Sequence, residues 1–346
     1  TPQTVTFTLL EVSGAADMSR ALDGVGNLRL LSRFLASLTC QGFRQTTREL
    51  QTLAYEELQH CPSKPHTSTA FVLHGLLGSG RNWRSFSRNL LSTLSELSPH
   101  SNWRMILLDL RGHGRSAELE DLSPPHDLGS AAKDLADLIK HKGWAWPDVI
   151  MGHSLGGKVA LQFLEDCATK KYDEVAAMPK QLWALDSVPG KVSPRESFGE
   201  TEKVLETLHK LPSLIPSRKW LVDYLFNMGF SMALAQWLGS NLKGQGEHVR
   251  WAFNLECAVQ LFNSYREREY WSVLEQQSEE GQKIGFVRAD KSDRWAAGVV
   301  GKLEKVAAGS GGSVSVHVLP DSGHWVHVDN PQGLLHILAP CLASVS

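Results

Sequence analysis

Residues 149–157, Val-Ile-Met-Gly-His-Ser-Leu-Gly-Gly, constrain the fold of this chain more than any other stretch. An apolar run ends at Gly152, Ser154 follows two residues later, and a helical pattern begins at Leu155. The spacing Gly152-x-Ser154-x-Gly156 is typical of a sharp turn between a buried strand and a helix. Glycine suits this turn because a side chain would collide with the neighbouring strand and helix. We therefore expect the Ser154 hydroxyl to project above the edge of a sheet.

Further apolar strands alternate with helical patterns along the chain. These strands are predicted at residues 53–58, 69–73, 104–109, 181–186, 284–288 and 314–318, the last with an alternating pattern. This alternation indicates an α/β fold with a doubly wound, mostly parallel sheet. The length of 346 residues exceeds that of a usual single domain, which fits a core that carries an inserted subdomain.

A long interval of helical character separates the strands at 181–186 and 284–288. Helices are predicted at about 196–210, 216–228, 231–240, 247–264 and 267–278. The interval also contains four tryptophans, which either pack into its own core or line a substrate pocket: Trp220, Trp237, Trp251 and Trp271. We predict a helical cap at residues 190–280, inserted between two parts of the α/β core at 49–189 and 281–346.

Residues 1–48 form an N-terminal extension of different composition, with five arginines and no lysine. The amphipathic stretch at 28–35 has two interpretations, the remnant of an organellar presequence or a helix docked on the domain. The acidic residues Glu11, Asp17 and Asp23 are unusual in transit peptides. The extension is compatible with an organellar location, in a plastid or a mitochondrion.

Charge, cysteine content and hydropathy exclude several classes of protein. Lys and Arg total 35 against 37 Asp and Glu, so no field of one sign is available to attract nucleic acid or an anionic membrane. The five cysteines are scattered without a Cys-x-x-Cys pair, which argues against a zinc site and favours an intracellular, reducing compartment. No apolar run approaches the roughly 18 residues that a membrane-spanning helix needs, so we expect no integral membrane segment.

Three side chains with complementary catalytic chemistry lie at the carboxyl ends of predicted strands: Ser154, Asp186 and His324. Loops at these strand ends carry the functional residues of doubly wound sheets. A serine hydroxyl is a poor nucleophile at neutral pH, so it needs an imidazole as base and a carboxylate that orients the imidazole. The order serine, acid, histidine is that of the α/β-hydrolase arrangement.

His324 is the favoured base among several histidines. His153 lies inside the serine turn, His74 in a glycine-rich loop and His113 in a separate loop. His327 could also face the site, but the preceding Gly323 gives His324 the freer loop. The acid has more alternatives. Asp186 is preferred, Asp293 is the main alternative, and Asp290 and Glu256 stay open.

The glycine-rich loop at residues 74–80 follows the strand at 69–73. Its spacing fits neither a P-loop nor the dinucleotide-binding pattern, so nucleotide binding is disfavoured. We predict instead that the backbone N–H of Leu76, with that of Leu155 after the serine, forms an oxyanion hole. The loop at 109–116 is predicted to be held by its own polar side chains, Asp109, Arg111 and His113.

Four ordered motifs together resemble the α/β-hydrolase superfamily from about residue 51 to the C terminus. They are residues 74–79, 109–116, 152–158 and 323–327. More narrowly, the chain is similar to small esterases of bacteria and mitochondria whose turn reads Gly-His-Ser-Leu/Met-Gly-Gly-Lys. This resemblance implies that the acid comes from the end of the sixth strand, which corresponds to Asp186. The chain departs from the pattern in its longer cap, its extension, and Gly112, where many members have Asn.

The motifs and the resemblance favour one function over two alternatives. The leading hypothesis is a serine hydrolase that forms an acyl-enzyme on Ser154, acts on a small-molecule ester or thioester, and needs no metal or organic cofactor. A carbon–carbon hydrolase or lyase of the same fold would use the same Ser154 and His324. A ligand receptor with little turnover is the other alternative. Dehalogenases and epoxide hydrolases are disfavoured because they use a carboxylate at the position of Ser154.

Overall fold

The computed structural model describes residues 52–119, 122–173, 175–192, 199–276 and 281–345. The N-terminal extension at 1–48, with both of its interpretations, lies outside these residues. The described chain is built around one seven-stranded sheet, whose strands are β1 (Tyr55–Gln59), β2 (Ser68–Leu73), β3 (Trp103–Leu108), β4 (Val149–His153), β5 (Gln181–Leu185), β8 (Lys283–Ala289) and β9 (Val314–Leu319).

The strand order in this sheet is β1-β3-β2-β4-β5-β8-β9. All neighbouring strands are parallel except β1, which pairs with β3 in antiparallel register at one edge. Strands β2 to β5 are buried along their whole length, as expected when helices cover both faces of a parallel sheet. The predicted doubly wound, mostly parallel sheet is confirmed.

Two apolar clusters lie on the two faces of the sheet. The helices of the core are α1 (Arg84–Leu97), α2 (Leu128–Lys142), α3 (Leu155–Ala168), α9 (Ala297–Gly309), α10 (Val326–Asp329) and α11 (Pro331–Ala343). Helices α1 and α11 bury their apolar stripes in one cluster, and α2 and α3 bury theirs in the other. This arrangement leaves the carboxyl ends of β4, β5 and β9 as the place where the serine, acid and histidine loops emerge.

The elements between β5 and β8 make up the region predicted as a cap, and the name cap denotes this region. They are α4 (Gly199–His209), α5 (Arg218–Asn227), α6 (Met232–Ser240), β6 (Leu242–Gln245), β7 (His248–Trp251), α7 (Leu255–Glu267) and α8 (Trp271–Glu275). The predicted helix at 247–264 is therefore wrong in its first part, where β6 and β7 form an antiparallel hairpin.

Local sequence and a distant contact together explain the hairpin. Gly246 takes a φ of +60° between the two strands, a conformation that glycine adopts readily. Val249 exchanges backbone hydrogen bonds of 2.8 and 2.9 Å with Ile215, which the helical pattern did not reveal. The following helix starts where the Asn254 side chain accepts a hydrogen bond from the N–H of Cys257, as an N-cap residue does.

Gly112 explains one departure from the resemblance. It has a φ of +70°, and a Cβ built on it would lie 2.3 Å from Sγ of Cys257 on α7. Its carbonyl accepts a hydrogen bond of 2.7 Å from the N–H of Asn254. A larger residue would therefore push α7 away, and the close approach of the cap to the core requires glycine here. None of the described helices combines the length and the apolar character that spanning a bilayer requires.

Candidate active site

Ser154 lies on a strained turn between β4 and α3. Its φ and ψ are +51° and −115°, a conformation that non-glycine residues rarely adopt and that often marks functional positions. The turn is held by a hydrogen bond of 3.0 Å from the Ser154 N–H to the Leu185 carbonyl. A Cβ on Gly152 would lie 2.1 Å from the Gly156 carbonyl oxygen. The predicted need for glycine on both sides of the serine thus has a steric cause.

His324 and Asp186 meet at the carboxyl end of the sheet. Nδ1 of His324 lies 2.7 Å from Oδ2 of Asp186. Asp186 directly follows β5, is fully buried and has a φ of +43°. The structure therefore brings together the histidine and the acid that were preferred from the sequence. His324 lines the same cavity as Ser154, whereas Asp186 is buried behind the histidine.

The Asp186 carboxylate receives hydrogen bonds from three further groups. The Trp295 indole N–H and the Ala289 backbone N–H donate to Oδ1 at 2.7 and 3.1 Å. The Ser292 hydroxyl donates to Oδ2 at 2.7 Å. These donors compensate a carboxylate that burial deprives of water.

The other candidate acids have different surroundings. Asp290 accepts hydrogen bonds of 3.0 Å from the N–H groups of Asp321 and Ser322, so it braces the loop that leads to His324. Glu256 accepts a hydrogen bond from Gln260 on the surface of α7. Asp293 lines the cavity, and its charge raises the pKa of His324.

Burial and neighbouring groups shift the pKa values of Asp186 and His324. Burial raises the pKa of Asp186, but the hydrogen bond and charge of His324, with the Trp295 and Ser292 bonds, lower it below its usual value. Burial, followed by the positive charge of Arg294, lowers the pKa of His324, although Asp186 opposes this. The acid is thus ionised and the imidazole neutral near pH 7, as a base requires.

The glycine-rich loop and the loop at 109–116 hold each other through two buried histidines. Nε2 of His113 accepts a hydrogen bond of 3.0 Å from the Leu77 N–H, and Nε2 of His74 accepts one of 3.0 Å from the Leu110 N–H. Each ring donates its Nδ1–H to a nearby carbonyl. Because burial lowers the pKa of His113 to about 3, it stays neutral and keeps this acceptor role.

The backbone N–H groups predicted for the oxyanion hole lie beside the serine. Leu76 and Leu155 both line the cavity next to Ser154. Within the described part of the chain, neither N–H donates a hydrogen bond, whereas the neighbouring Leu77 N–H is occupied by His113. Both residues therefore border the space that a ligand bound at Ser154 would occupy.

His153 and His327 surround His324 without replacing it. Nε2 of His153 donates a hydrogen bond of 2.7 Å to the His324 carbonyl oxygen. The ring of His327 stacks on Trp83, with 4.1 Å between the ring centroids. His153 therefore holds the backbone of the His324 loop, and His327 belongs to an aromatic wall of the cavity.

The cavity above Ser154 has a volume of about 390 Å³. Cap residues supply much of its apolar wall, including Val204 on α4, Leu234 and Trp237 on α6, and Phe262 and Tyr265 on α7. This size lies within the range of pockets that bind small molecules. Among the described residues, no group of His, Cys, Asp or Glu side chains is arranged to hold a metal ion.

Sequence reasoning missed three residues that support the site. Ser292 and Trp295 both hydrogen-bond Asp186, and Lys158 is buried beneath the cap. Ser292 had a detectable signal, because it lies in the loop directly after the predicted strand at 284–288, between the candidate acids Asp290 and Asp293. Lys158 is visible as the last residue of the serine-turn motif, but the motif reveals neither its burial nor its partners. Trp295 had no signal, since its partner Asp186 comes from a distant part of the chain.

The fold and the geometry at Ser154 define the class of this protein, an α/β hydrolase. The sequence model described as the alpha/beta hydrolase family matches residues 70–337, so the chain belongs to that family. The resemblance inferred from its motifs is confirmed.

Curated relatives and solved structures agree with this class. The chain is 24% identical over 278 residues to the sn-1-specific diacylglycerol lipase ABHD11 of Mus musculus, covering 78% of this chain and 80% of that protein. It is 27% identical over 275 residues to a probable protein phosphatase methylesterase 1 of Caenorhabditis elegans, covering 76% and 66% of the two chains. The solved structure of a marine microorganism esterase superposes with a TM-score of 0.65 at 21% identity, covering 84% of this chain and 98% of that one.

Proposed function

We propose that this chain is a serine hydrolase that cleaves a carboxylic ester or thioester through an acyl-enzyme on Ser154. The observation that carries the proposal is the contact of 2.7 Å between His324 and a fully buried Asp186, at the same sheet edge as the strained turn of Ser154. The names of the relatives, a lipase and a methylesterase, support ester substrates in general.

Each residue has a defined part in this reaction. His324 accepts the proton of the Ser154 hydroxyl as the oxygen attacks the acyl carbon, and the protonated ring then donates that proton to the leaving group. Asp186 holds the ring by accepting from Nδ1–H, which leaves Nε2 free to act as the base. The N–H groups of Leu76 and Leu155 stabilise the oxyanion of the tetrahedral intermediate. Water, activated by His324, then releases the acid and regenerates Ser154.

The walls of the cavity favour an acyl group without charge. Apolar side chains from the cap and from the glycine-rich loop line much of the cavity, and three of its charged residues, Lys291, Asp293 and Arg294, lie in the β8 loop. Two further charged residues, Glu200 on α4 and Asp329 on α10, also line it. We propose that the acyl chain contacts the cap and that the leaving group faces the β8 loop.

The decisive experiment is labelling with a fluorophosphonate, combined with turnover of p-nitrophenyl esters and an acyl thioester. We expect Ser154→Ala to abolish labelling and to lower kcat by about a millionfold, the scale on which removal of a serine nucleophile acts. The variant should keep its fold, because alanine preserves the turn. Labelling that persists in Ser154→Ala would contradict the assignment.

Two other outcomes would favour the alternative functions. Labelling of Ser154 without turnover of any ester or thioester would indicate a ligand receptor or a carbon–carbon hydrolase. Conversion of a vinylogous β-diketone in that situation would identify the latter, since it requires carbon–carbon cleavage with the same serine and histidine.

A further inference from the structure

Lys158 is a buried lysine that the proposed reaction does not use, and burial lowers its pKa to about 7. It lies on α3, four residues after Ser154, and its side chain is fully buried. It does not line the cavity above Ser154. In the part of the chain that the structure describes, no carboxylate lies within ion-pair distance of Lys158, although the charge of Glu269 raises its pKa against the larger effect of burial. Burying a charge in this position is costly unless hydrogen bonds compensate it.

The ammonium group of Lys158 donates to three backbone carbonyls. Nζ lies 2.7 Å from the oxygen of Gly190, 2.6 Å from that of Tyr265 and 2.7 Å from that of Arg268. These three bonds use all three donors of an ammonium group. A neutral side chain of the same length could not satisfy the three carbonyls.

All three carbonyls belong to the cap. Gly190 lies on the segment that leaves β5 and enters the cap, whereas Tyr265 and Arg268 lie at the carboxyl end of α7. The last carbonyls of a helix carry partial negative charge, which attracts a cation. Nζ also lies 4.4 Å from the centroid of the Tyr265 ring, where a cation is attracted to the aromatic face.

The helix that Lys158 holds also forms the wall of the cavity. Phe262 and Tyr265 on α7 line the space above Ser154, and the carbonyl of Tyr265 is one of the three acceptors. One turn further along α3, Gln162 accepts a hydrogen bond of 3.0 Å from the Tyr270 hydroxyl. The face of α3 that follows Ser154 is thus the surface on which this part of the cap rests.

We propose that Lys158 is a positioning residue that fixes α7 and the entry of the cap to the serine-bearing helix, and thereby sets the acyl-chain preference of the site. This proposal rests on the proposed function, in that Ser154 reacts with acyl substrates. A buried ammonium is suited to this role because one group orients two separate backbone segments at once. An apolar side chain could fill the space but could not fix the direction of either segment.

The test compares Lys158→Met, Lys158→Arg and Val159→Ala with the wild type on p-nitrophenyl esters from acetyl to decanoyl. Methionine keeps the length of the side chain and removes the charge and the donors. Val159, the next residue on α3, belongs to the apolar core, so Val159→Ala is a control for loss of stability alone. Thermal midpoints are measured for every variant.

For Lys158→Met we expect KM for the preferred acyl chain to rise by about tenfold, as a displaced binding wall requires, while kcat for the acetyl ester changes by less than about threefold. Lys158→Arg keeps the charge and should recover part of the preference. Val159→Ala should lower the thermal midpoint without changing the preference. An unchanged preference in Lys158→Met, or the same change in Val159→Ala, would overturn the proposal.

A second measurement tests the proposal if a variant does not fold or if the wild type hydrolyses no ester. Hydrogen–deuterium exchange without substrate compares wild type with Lys158→Met, or with Lys158→Gln if the methionine variant cannot be recovered folded. We expect faster exchange in α7 and at residues 190–192, with α2 unchanged. Equal exchange in α7 would refute the positioning role whether or not the chain is an esterase.

Discussion

Replacement of Asp186 by asparagine tests the assignment of the acid most sharply. Asp186 accepts four hydrogen bonds, two on each carboxylate oxygen. Asparagine has nearly the same shape but only one acceptor oxygen and one NH₂ group. One pair of donors must therefore face the NH₂ group in the variant.

The structure indicates which pair this is. The Trp295 and Ala289 N–H groups on the Oδ1 side can only donate, so the amide oxygen is expected to stay with them. The Ser292 hydroxyl can rotate to accept, and the His324 ring can move its proton from Nδ1 to Nε2. The NH₂ group then faces His324, whose Nε2 carries a proton and cannot accept one from Ser154.

We expect Asp186→Asn to lower kcat by about 10⁴, the loss known for this change of tautomer in the serine-protease precedent. That factor corresponds to roughly 5 kcal/mol of activation free energy. The free energy of unfolding should fall far less, by about 1–2 kcal/mol, because the serine hydroxyl can adapt. The assay is p-nitrophenyl ester turnover, with circular dichroism as the check on folding.

Asp293→Asn is the matched control, because Asp293 lines the same cavity and was the main alternative acid. We expect its kcat to fall by about tenfold or less, since a cavity carboxylate that acts on His324 only through its charge contributes modestly to the rate. A folded Asp186→Asn variant with nearly full activity would refute the reasoning. Large losses in both variants would mean that both carboxylates support the histidine.

Two further predictions concern pH and the acyl chain. Burial and then Arg294 lower the pKa of His324 below its usual 6.5, and the base acts only when neutral. The acid limb of kcat/KM, measured from pH 4 to 8 by assay design, should therefore lie below pH 6.5, with activity lost as pH falls through it. Arg294→Gln should move that limb to higher pH, and an unmoved limb would exclude this influence. Trp237→Ala should shift the preference towards longer acyl chains, because Trp237 lines the cavity against Trp325. A loss of thermal stability with an unchanged chain-length series would mean that Trp237 only packs the cap.

The location of the chemistry was predictable from local patterns. A serine turn requires glycine where the backbone bends sharply and passes close to another strand, so the turn at residues 152–156 can be recognised from one short stretch of sequence. The buried strands were equally predictable, because a parallel sheet covered on both faces uses nearly continuous apolar runs. His324 could be chosen among the histidines because His153, His74 and His113 belong to other turns and loops, and Gly323 gives its own loop more freedom.

The cap illustrates the limit of local patterns. The segment that contains β7 was predicted as a helix, yet it forms a hairpin because Val249 bonds to Ile215, more than thirty positions earlier in the printed sequence. Short segments of mixed polarity have weak local preferences, so distant partners decide their conformation. The same holds for Gly112, whose requirement for glycine appears only when Cys257 of α7 packs against it.

By itself, the sequence determined the α/β class, the position of the serine turn, the favoured histidine and a short set of candidate acids. The tertiary structure decided which carboxylate lies against His324, because hydrogen bonding depends on direction and distance rather than on spacing along the chain. It also decided the surroundings of that carboxylate, which takes its donors from Ala289, Ser292 and Trp295 beyond the cap. Lys158 shows the same division between what the sequence determines and what the tertiary structure decides. Its residue type is visible in the motif, but three carbonyls from the cap give the charge its partners only after the chain has folded.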